Sequence, residues 1–269
     1  MLDTNVLKQA RLMSWLAEEG SPSRYFAVST DKAANPVNFM GASKRLMEQL
    51  VFTDAVTPLG SAVRTSARFA NVAFSAGSLL ASWGERIRKR QPLAVPRDTR
   101  RYFVSLAEAA EICLLAAAAL PDFHVAVPTM KPGPDLRELS KIAEGFAVAS
   151  GFRAAWYEDE SEARAAVERD AANGAWPILL TARDTDGEKP EEEFVGAGER
   201  AADVGLTALR GIPQRGADPG VLRSVLDELS LWLAEPRLRA SKDAIGSAIA
   251  RVVPEFQHAA SGRGLDERM

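Results

Sequence analysis

A chain of 269 residues, 46% hydrophobic and 26% charged, is long enough to bury one or two substantial cores. Its net charge of −3 lacks the strong basic excess that nucleic acid or an anionic membrane surface selects, so neither is an expected partner. The single cysteine, Cys113, excludes an internal disulfide, fits a reducing cytoplasmic setting, and sits in an alanine-rich run as a small hydrophobe.

The apolar spacing Val6, Leu7, Ala10, Leu12, Met13, Leu16 predicts a first helix, with Thr4 as N-cap and Gly20 as its stop. It carries no basic stretch followed by an apolar core, so it is not a signal peptide. A strand over Tyr25–Ser29, a polar loop and a helix from about Phe39 to Phe52 follow. Ala62–Phe69 reads as a strand, Ser78–Arg90 as a helix, and Tyr102–Val104 as a short extended piece. Arg86, Arg88, Lys89 and Arg90 form a solvated basic end complementing the helix dipole. Ser105-Leu106-Ala107-Glu108 is a capping box opening the alanine-rich helix, and Asp135-Leu136-Arg137-Glu138 is expected to open another in the same way. Between them lies a strand, Phe123–Val127. The longest apolar run, Ile112 to Leu120, falls well short of the about 20 residues that span a bilayer, so a soluble chain without a membrane span is expected.

After Gly151 come strand Phe152–Tyr157, helix Ser161–Ala172, strand Pro177–Thr181, a charged loop Arg183–Glu193, and helices at Gly220–Leu233 and Ser241–Val253. Strands alternating with helices predict an α/β fold with a largely parallel sheet. The prolines and glycine of Pro128–Pro134 suggest a boundary between a domain over 1–130 and another over 131–269. A dinucleotide-binding sheet normally opens on a strand, a glycine-rich turn and a helix N-terminus that meets the pyrophosphate. No such turn occurs near the N-terminus, where Gly20, Gly41, Gly60 and Gly77 stand singly.

The most informative block is Ser29 to Lys44. The strand delivers Thr30, Asp31 and Lys32 to its carboxyl end, and the following helix carries Met40 and Lys44 four residues apart on one face. A hydroxyl, a carboxylate and two ammonium groups thus converge. The block resembles the active-site segment of the nucleotide-sugar 4,6-dehydratases of the CapD-like polysaccharide-biosynthesis family, which are extended short-chain dehydrogenase/reductases. Met40-x-x-x-Lys44 matches the branch of that family in which Met replaces the usual Tyr. Read alone, Met40 is equally a core filler.

The resemblance implies a set of roles. A 4,6-dehydration oxidises C4, eliminates water across C5–C6 and returns the hydride to C6, which calls for acid and base groups at each centre. Asp31 is implied as the acid, Lys32 as the C5 base or its partner, Thr30 as a hydrogen bond to the C4 oxygen, and Lys44 as the residue holding the nicotinamide ribose. Arg68-Phe69-Ala70-Asn71-Val72 resembles the family's Arg-Phe-Gly-Asn-Val segment, which implies substrate contacts for Asn71 and Ser78; a turn-forming asparagine is the plainer reading of Asn71. Thr99-Arg100-Arg101-Tyr102-Phe103 resembles the Thr-Arg-Tyr-Phe segment whose arginine meets the diphosphate, implying Arg101 for that task. Trp176–Thr181, Asp184–Lys189 and Pro254–His258 resemble a C-terminal extension of one soluble subgroup. Asp184 and Asp186 read as a solvated turn rather than a metal loop, and His124 and His258 as structural, so no metal site is expected.

The family fold implied is an incomplete Rossmann-like parallel sheet with a smaller C-terminal α/β substrate domain, in a chain lacking about the N-terminal third of its relatives. The implied function is dehydration of UDP-N-acetylglucosamine, with NAD rather than NADP, for surface polysaccharide or nonulosonic acid, in a cytoplasmic homo-oligomer. The alternative is a non-catalytic remnant that binds sugar nucleotide, or assembles with a partner, without holding NAD. An epimerase or reductase is the other rival, and the Asp31-Lys32 pair argues against it, because C4 epimerisation needs no acid and base at C5 and C6.

Overall fold

Helical and strand periodicities resolve into the following order in the computed structural model, which describes residues 1–182, 191–234 and 240–256. A π-helical turn, Asp3–Leu7, leads into α1 (Lys8–Glu18), β1 (Arg24–Val28), a 3₁₀ turn (Asp31–Ala33), α2 (Phe39–Val51), β2 (Val63–Ala67) and β3 (Asn71–Val72). Then come α3 (Leu79–Arg88), β4 (Leu93–Pro96), β5 (Arg100–Arg101), β6 (Phe103–Val104), α4 (Leu106–Ala118) and β7 (His124–Pro128). The chain continues through β8 (Arg137–Glu138), α5 (Leu139–Ala149), β9 (Arg153–Tyr157), α6 (Glu160–Ala172), β10 (Ala175–Thr181), β11 (Ala202–Asp203), β12 (Leu209–Pro213), α7 (Pro219–Ala234) and α8 (Lys242–Ala250).

These elements form two compact units. The first takes Met1–Phe69, Ala110–Thr129 and the described residues from Glu193 on; the second takes Ala70–Ala109 and Met130–Glu192. One passage of the chain between the units falls at Thr129–Met130. Three further passages, after Phe69, Ala109 and Glu192, interleave the units, so neither is a continuous half of the sequence. Strand pairing is the reason. β12 pairs with β7 in the first unit, and β4 pairs with β10 in the second.

In the first unit the strand order is β1-β2-β7-β12-β11. β1, β2 and β7 are parallel, as the alternation predicts, while β12 and β11 run antiparallel at the other edge. One core joins Met13, Tyr25, Met47, Val51, Phe52, Val125, Val127 and Ile212, where α1 and α2 cover the sheet. A second joins Leu46 and Leu50 of α2 to Leu222, Val225 and Leu229 of α7 and Ile249 of α8. α2 is therefore buried on two faces, which explains why nine of its thirteen residues lie inside. Gly20, at φ +110°, ends α1 as expected, but Thr4 does not cap it: helical backbone already runs through Leu2.

The second unit holds a parallel sheet ordered β4-β10-β9. Trp83, Leu93, Val95, Leu139, Ala143, Val167, Trp176 and Ile178 form its core. Both indoles find acceptors, Trp83 Nε1 at Ala94 O (3.0 Å) and Trp176 Nε1 at Gln91 O (3.1 Å). The Ser105–Glu108 capping box forms reciprocally, with Ser105 N–H on Glu108 Oε2 (2.6 Å) and Glu108 N–H on Ser105 Oγ (3.1 Å). Asp135–Glu138 does not make one. Asp135 Oδ2 accepts from Lys131 N–H (2.8 Å), Arg137 and Glu138 pair with β5, and α5 starts only at Leu139. A cap competes with sheet pairing for the same backbone, and here the pairing wins.

Candidate active site

The carboxyl end of β1 gathers the catalytic candidates of the first unit. Thr30 is extended and caps the 3₁₀ turn, its Oγ1 accepting from Lys32 N–H (3.4 Å), while its hydroxyl donates to Asp31 Oδ1 (2.7 Å). Lys32 Nζ lies 3.6 Å from the same carboxylate oxygen; Asp31 is buried and the Lys32 side chain is 42% exposed. Asn38 starts α2 by accepting from Gly41 N–H (2.9 Å), which places Met40 in its first turn and Lys44 one turn on. Lys44 Nζ donates to Val28 O (2.9 Å), and burial pulls its pKa below the usual lysine value, against the opposing pull of Glu48. The loop after the turn is pinned too: Asn35 donates to Glu193 (2.9 Å) and accepts from Ala197 N–H (3.0 Å).

Gly41 makes this convergence sterically feasible. A Cβ there would stand 2.3 Å from the Lys32 carbonyl oxygen, so only glycine lets α2 approach the turn. Alanine in a helix would ordinarily gain about 1 kcal/mol over glycine. Here backbone faces backbone, and overpacking of about 1–3 kcal/mol outweighs that gain. Gly41→Ala is expected to lower the urea midpoint; a stabilised variant would overturn the packing account.

Behind the site lies an ion network that sequence reading missed. Arg68 Nε and Nη2 donate to Glu48 Oε1 (2.8 Å) and Oε2 (2.5 Å), while Nη1 and Nη2 reach Glu199 at 2.5 and 2.9 Å. Arg45 binds Glu48 (3.0 Å), Glu199 (2.8 Å) and Glu255 (2.8 Å). Ser29 donates to Glu48 Oε1 (2.6 Å), which ties the residue before Thr30 into the network. The available signal was Arg45 and Glu48 within the apolar spacing of α2, and Arg68 directly after β2. Burial raises the Glu199 pKa, but Arg68, Arg45 and the Gly196 N–H outweigh it and hold the carboxyl at about 2. Glu48 is lowered likewise: burial opposes, and Arg68 prevails.

A depressed folded-state pKa contributes stability above the unfolded value that is lost as pH falls toward the folded one. Unfolding free energy should therefore fall by on the order of 3 kcal/mol from Glu199 alone between about pH 5 and about pH 2. Urea titrations across that range check this, and a flat profile would contradict it.

The substrate-contact candidates belong to the second unit. Asn71 opens β3, and its Nδ2 donates to Tyr102 O (3.1 Å) and Glu192 Oε1 (2.6 Å). Glu192 also accepts from Tyr102 N–H (3.0 Å) and lies 3.5 Å from Arg101 Nε. The Arg101 side chain is mostly covered, whereas Arg100 is half-exposed and pairs with Glu138 and Glu191. Ser78 caps α3, accepting from Ala81 N–H (3.3 Å). Glu192 lies in the charged loop Arg183–Glu193 and is one of three consecutive glutamates, so nothing in the local sequence marks it out. His124 Nδ1 sits 2.7 Å from Asp122 O in β7, a structural contact. Burial pushes the Cys113 thiol up, away from thiolate. Asp184, Asp186 and His258 lie outside the described residues. Among the described residues no acidic, His or Cys cluster could hold a metal, and no helix is long and apolar enough to cross a membrane.

A family described as polysaccharide biosynthesis protein matches residues 1–162. The chain belongs to that family. Among its relatives, the capsular polysaccharide biosynthesis protein CapD of Staphylococcus aureus is 33% identical over 126 residues, 46% of this chain and 21% of that protein. A UDP-glucose 4-epimerase of Rickettsia rickettsii is 32% identical over 117 residues, 43% of this chain and 34% of that one. The chain therefore spans about a fifth to a third of the length of these relatives. The solved structure of MoeE5 in complex with UDP-glucose and NAD shares the fold, with a TM-score of 0.53 at 16% identity over 85% of this chain and 72% of that one. Thr30 to Lys44, Asn71, Ser78 and Arg101 all fall inside the family match, and Glu192 and Glu199 fall beyond it.

Proposed function

We propose that this member of the polysaccharide biosynthesis family catalyses 4,6-dehydration of a nucleotide-activated amino sugar, UDP-N-acetylglucosamine, to its 4-keto-6-deoxy product, using NAD. The observation carrying this is the Thr30-Asp31-Lys32 cluster at the end of β1, beside a helix that brings Lys44 to the same strand end. The resemblance to a structure solved with UDP-glucose and NAD supports the nucleotide-sugar class and the cofactor. When bound, NAD supplies the hydride acceptor for C4 and the hydride for C6. Lys44, a half-buried cation anchored on the Val28 carbonyl, suits ribose hydroxyls and a developing C4 alkoxide.

Met40 has no exchangeable proton, so the C4 hydroxyl proton leaves through Thr30, whose own hydroxyl already donates to Asp31. Asp31 then delivers that proton to the departing C6 hydroxyl. Lys32 acts at C5 as the amine, after its ammonium has given up a proton to solvent: it removes the C5 proton and returns it to C5 after hydride reaches C6, then regains its own proton. The balance is the loss of one water. Epimerisation at C4 is the second reading, favoured by the Rickettsia relative.

Incubation of the protein with UDP-N-acetylglucosamine and NAD, followed by mass spectrometry, separates these. A product lighter by one water supports dehydration, an isomer of unchanged mass supports epimerisation, and unchanged substrate overturns both.

A further inference from the structure

The donor–acceptor polarity of Asn71 carries a consequence for what it can recognise. A primary carboxamide has two N–H hydrogens and one acceptor oxygen. Both hydrogens of Asn71 are taken inside the second unit, by Tyr102 O (3.1 Å) and Glu192 Oε1 (2.6 Å). Turning the carboxamide over would set Oδ1 against that carbonyl and that carboxylate, replacing two hydrogen bonds with two repulsions. Glu192 is itself fixed, with Tyr102 N–H on Oε2 (3.0 Å), Arg101 Nε 3.5 Å from Oε1, and a side chain only 6% exposed. β3 pairs with β6 in register Asn71 to Phe103, so the backbone cannot drift to relieve the lock. What remains on Asn71 is Oδ1, which accepts no hydrogen bond among the described residues.

We infer that Glu192 sets the polarity of Asn71, so that Asn71 recognises a hydrogen-bond donor of the nucleotide sugar, a hydroxyl or an amide N–H, and not its diphosphate. The non-bridging oxygens of a nucleoside diphosphate sugar carry no hydrogen at neutral pH, so they cannot meet Oδ1. Glu192 is a positioning residue, acting through Asn71. The inference rests on the nucleotide-sugar reading above and specifies which part of that ligand Asn71 reads.

Two measurements on the full chain test it. In nitrogen–proton NMR of the free protein, both Asn71 side-chain hydrogens should exchange with water more slowly than those of exposed asparagines. Glu192→Ala should release one of them, because it removes the carboxylate oxygen that accepts it. Rapid exchange of both hydrogens in the unaltered protein overturns the lock and leaves the dehydratase reading standing.

Calorimetry with UDP-N-acetylglucosamine and UDP, and with pyrophosphate as competitor, reads the recognition. Asn71→Ala should weaken UDP-N-acetylglucosamine about tenfold, the equivalent of one hydrogen bond. Pyrophosphate should stay within about twofold in the same variant. Equal weakening of pyrophosphate would place Asn71 on the phosphates and overturn the inference alone. Failure of both UDP ligands to bind the folded, unaltered protein would overturn the nucleotide-sugar reading, and the inference with it. Weakening confined to UDP-N-acetylglucosamine puts the donor on the sugar; weakening of UDP as well puts it on the nucleoside, and both outcomes support the inference.

Discussion

Asp31→Asn is expected to lower turnover of UDP-N-acetylglucosamine by about 10²- to 10⁴-fold, the range for removal of a positioned acid–base group. The carboxylate is buried and contacted by the Thr30 hydroxyl and the Lys32 ammonium, and an amide cannot relay a proton from one substrate hydroxyl to another. Met40→Leu is the paired control. It removes no titratable group and nearly conserves volume, so its effect should stay within about tenfold. The two rates, measured as formation of the 4-keto-6-deoxy product, separate the roles. If Met40→Leu proved as damaging as Asp31→Asn, the proton route through Thr30 and Asp31 would be wrong.

The largest stability effect is expected at Arg68. The network holds two arginines, Arg45 and Arg68, against three glutamates, Glu48, Glu199 and Glu255, so its net charge is −1. Arg68→Met makes that −2 and leaves Glu48, which is fully buried, with Arg45 as its remaining cation. Breaking a buried pair in this way costs about 3–5 kcal/mol. Glu48→Gln brings the same network to zero and keeps an acceptor for Ser29, at the expense of an amide facing guanidinium donors. Its cost should be nearer 1–3 kcal/mol. Urea unfolding ranks the two, and a Glu48→Gln variant less stable than Arg68→Met would refute the charge-balance account. Because Ser29 ties the network to Thr30, Arg68→Met should also slow turnover at temperatures where it remains folded.

Elements with a strong local signal were legible in the sequence. The alternation around Tyr25 and Ala27, the spacing along α2 and the Ser105–Glu108 box all rest on neighbours within one or two turns, and all formed. Partnerships made at a distance were not legible. β12 (Leu209–Pro213) contains a glycine and ends in a proline, and nothing local says that it completes the first sheet beside β7. The Asp135–Glu138 motif obeys the capping pattern, yet strand pairing to Arg100 and Arg101 claimed its backbone.

The candidate site divides the same way. Thr30, Asp31, Lys32, Met40 and Lys44 lie in one contiguous block whose geometry follows from a strand, a turn and a helix. Glu192 reaches Asn71, and Glu199 reaches Arg68, from more than a hundred residues away; Glu192 is one of three consecutive glutamates and Glu199 is a single acid after Gly196-Ala197-Gly198, so neither carried a distinguishing mark. Gly41 was visible as a glycine in a helix, but its reason is the Lys32 carbonyl that a side chain would strike.

The interleaved path sets the order in which the molecule can assemble. His124 in β7 pairs with Pro213 in β12, and Pro128 with Leu209, across about eighty intervening residues. During synthesis, β7 leaves the ribosome with one edge unpaired, and its partner arrives only after nearly all of the second unit has been made. The second unit's strands β9 and β10 are close in sequence and can pair first. The first sheet, which holds the catalytic candidates, closes last. A nascent chain halted between Pro128 and Leu209 exposes the flank of β7 to other strands, which makes that interval the one in which chaperone binding or misassociation concentrates.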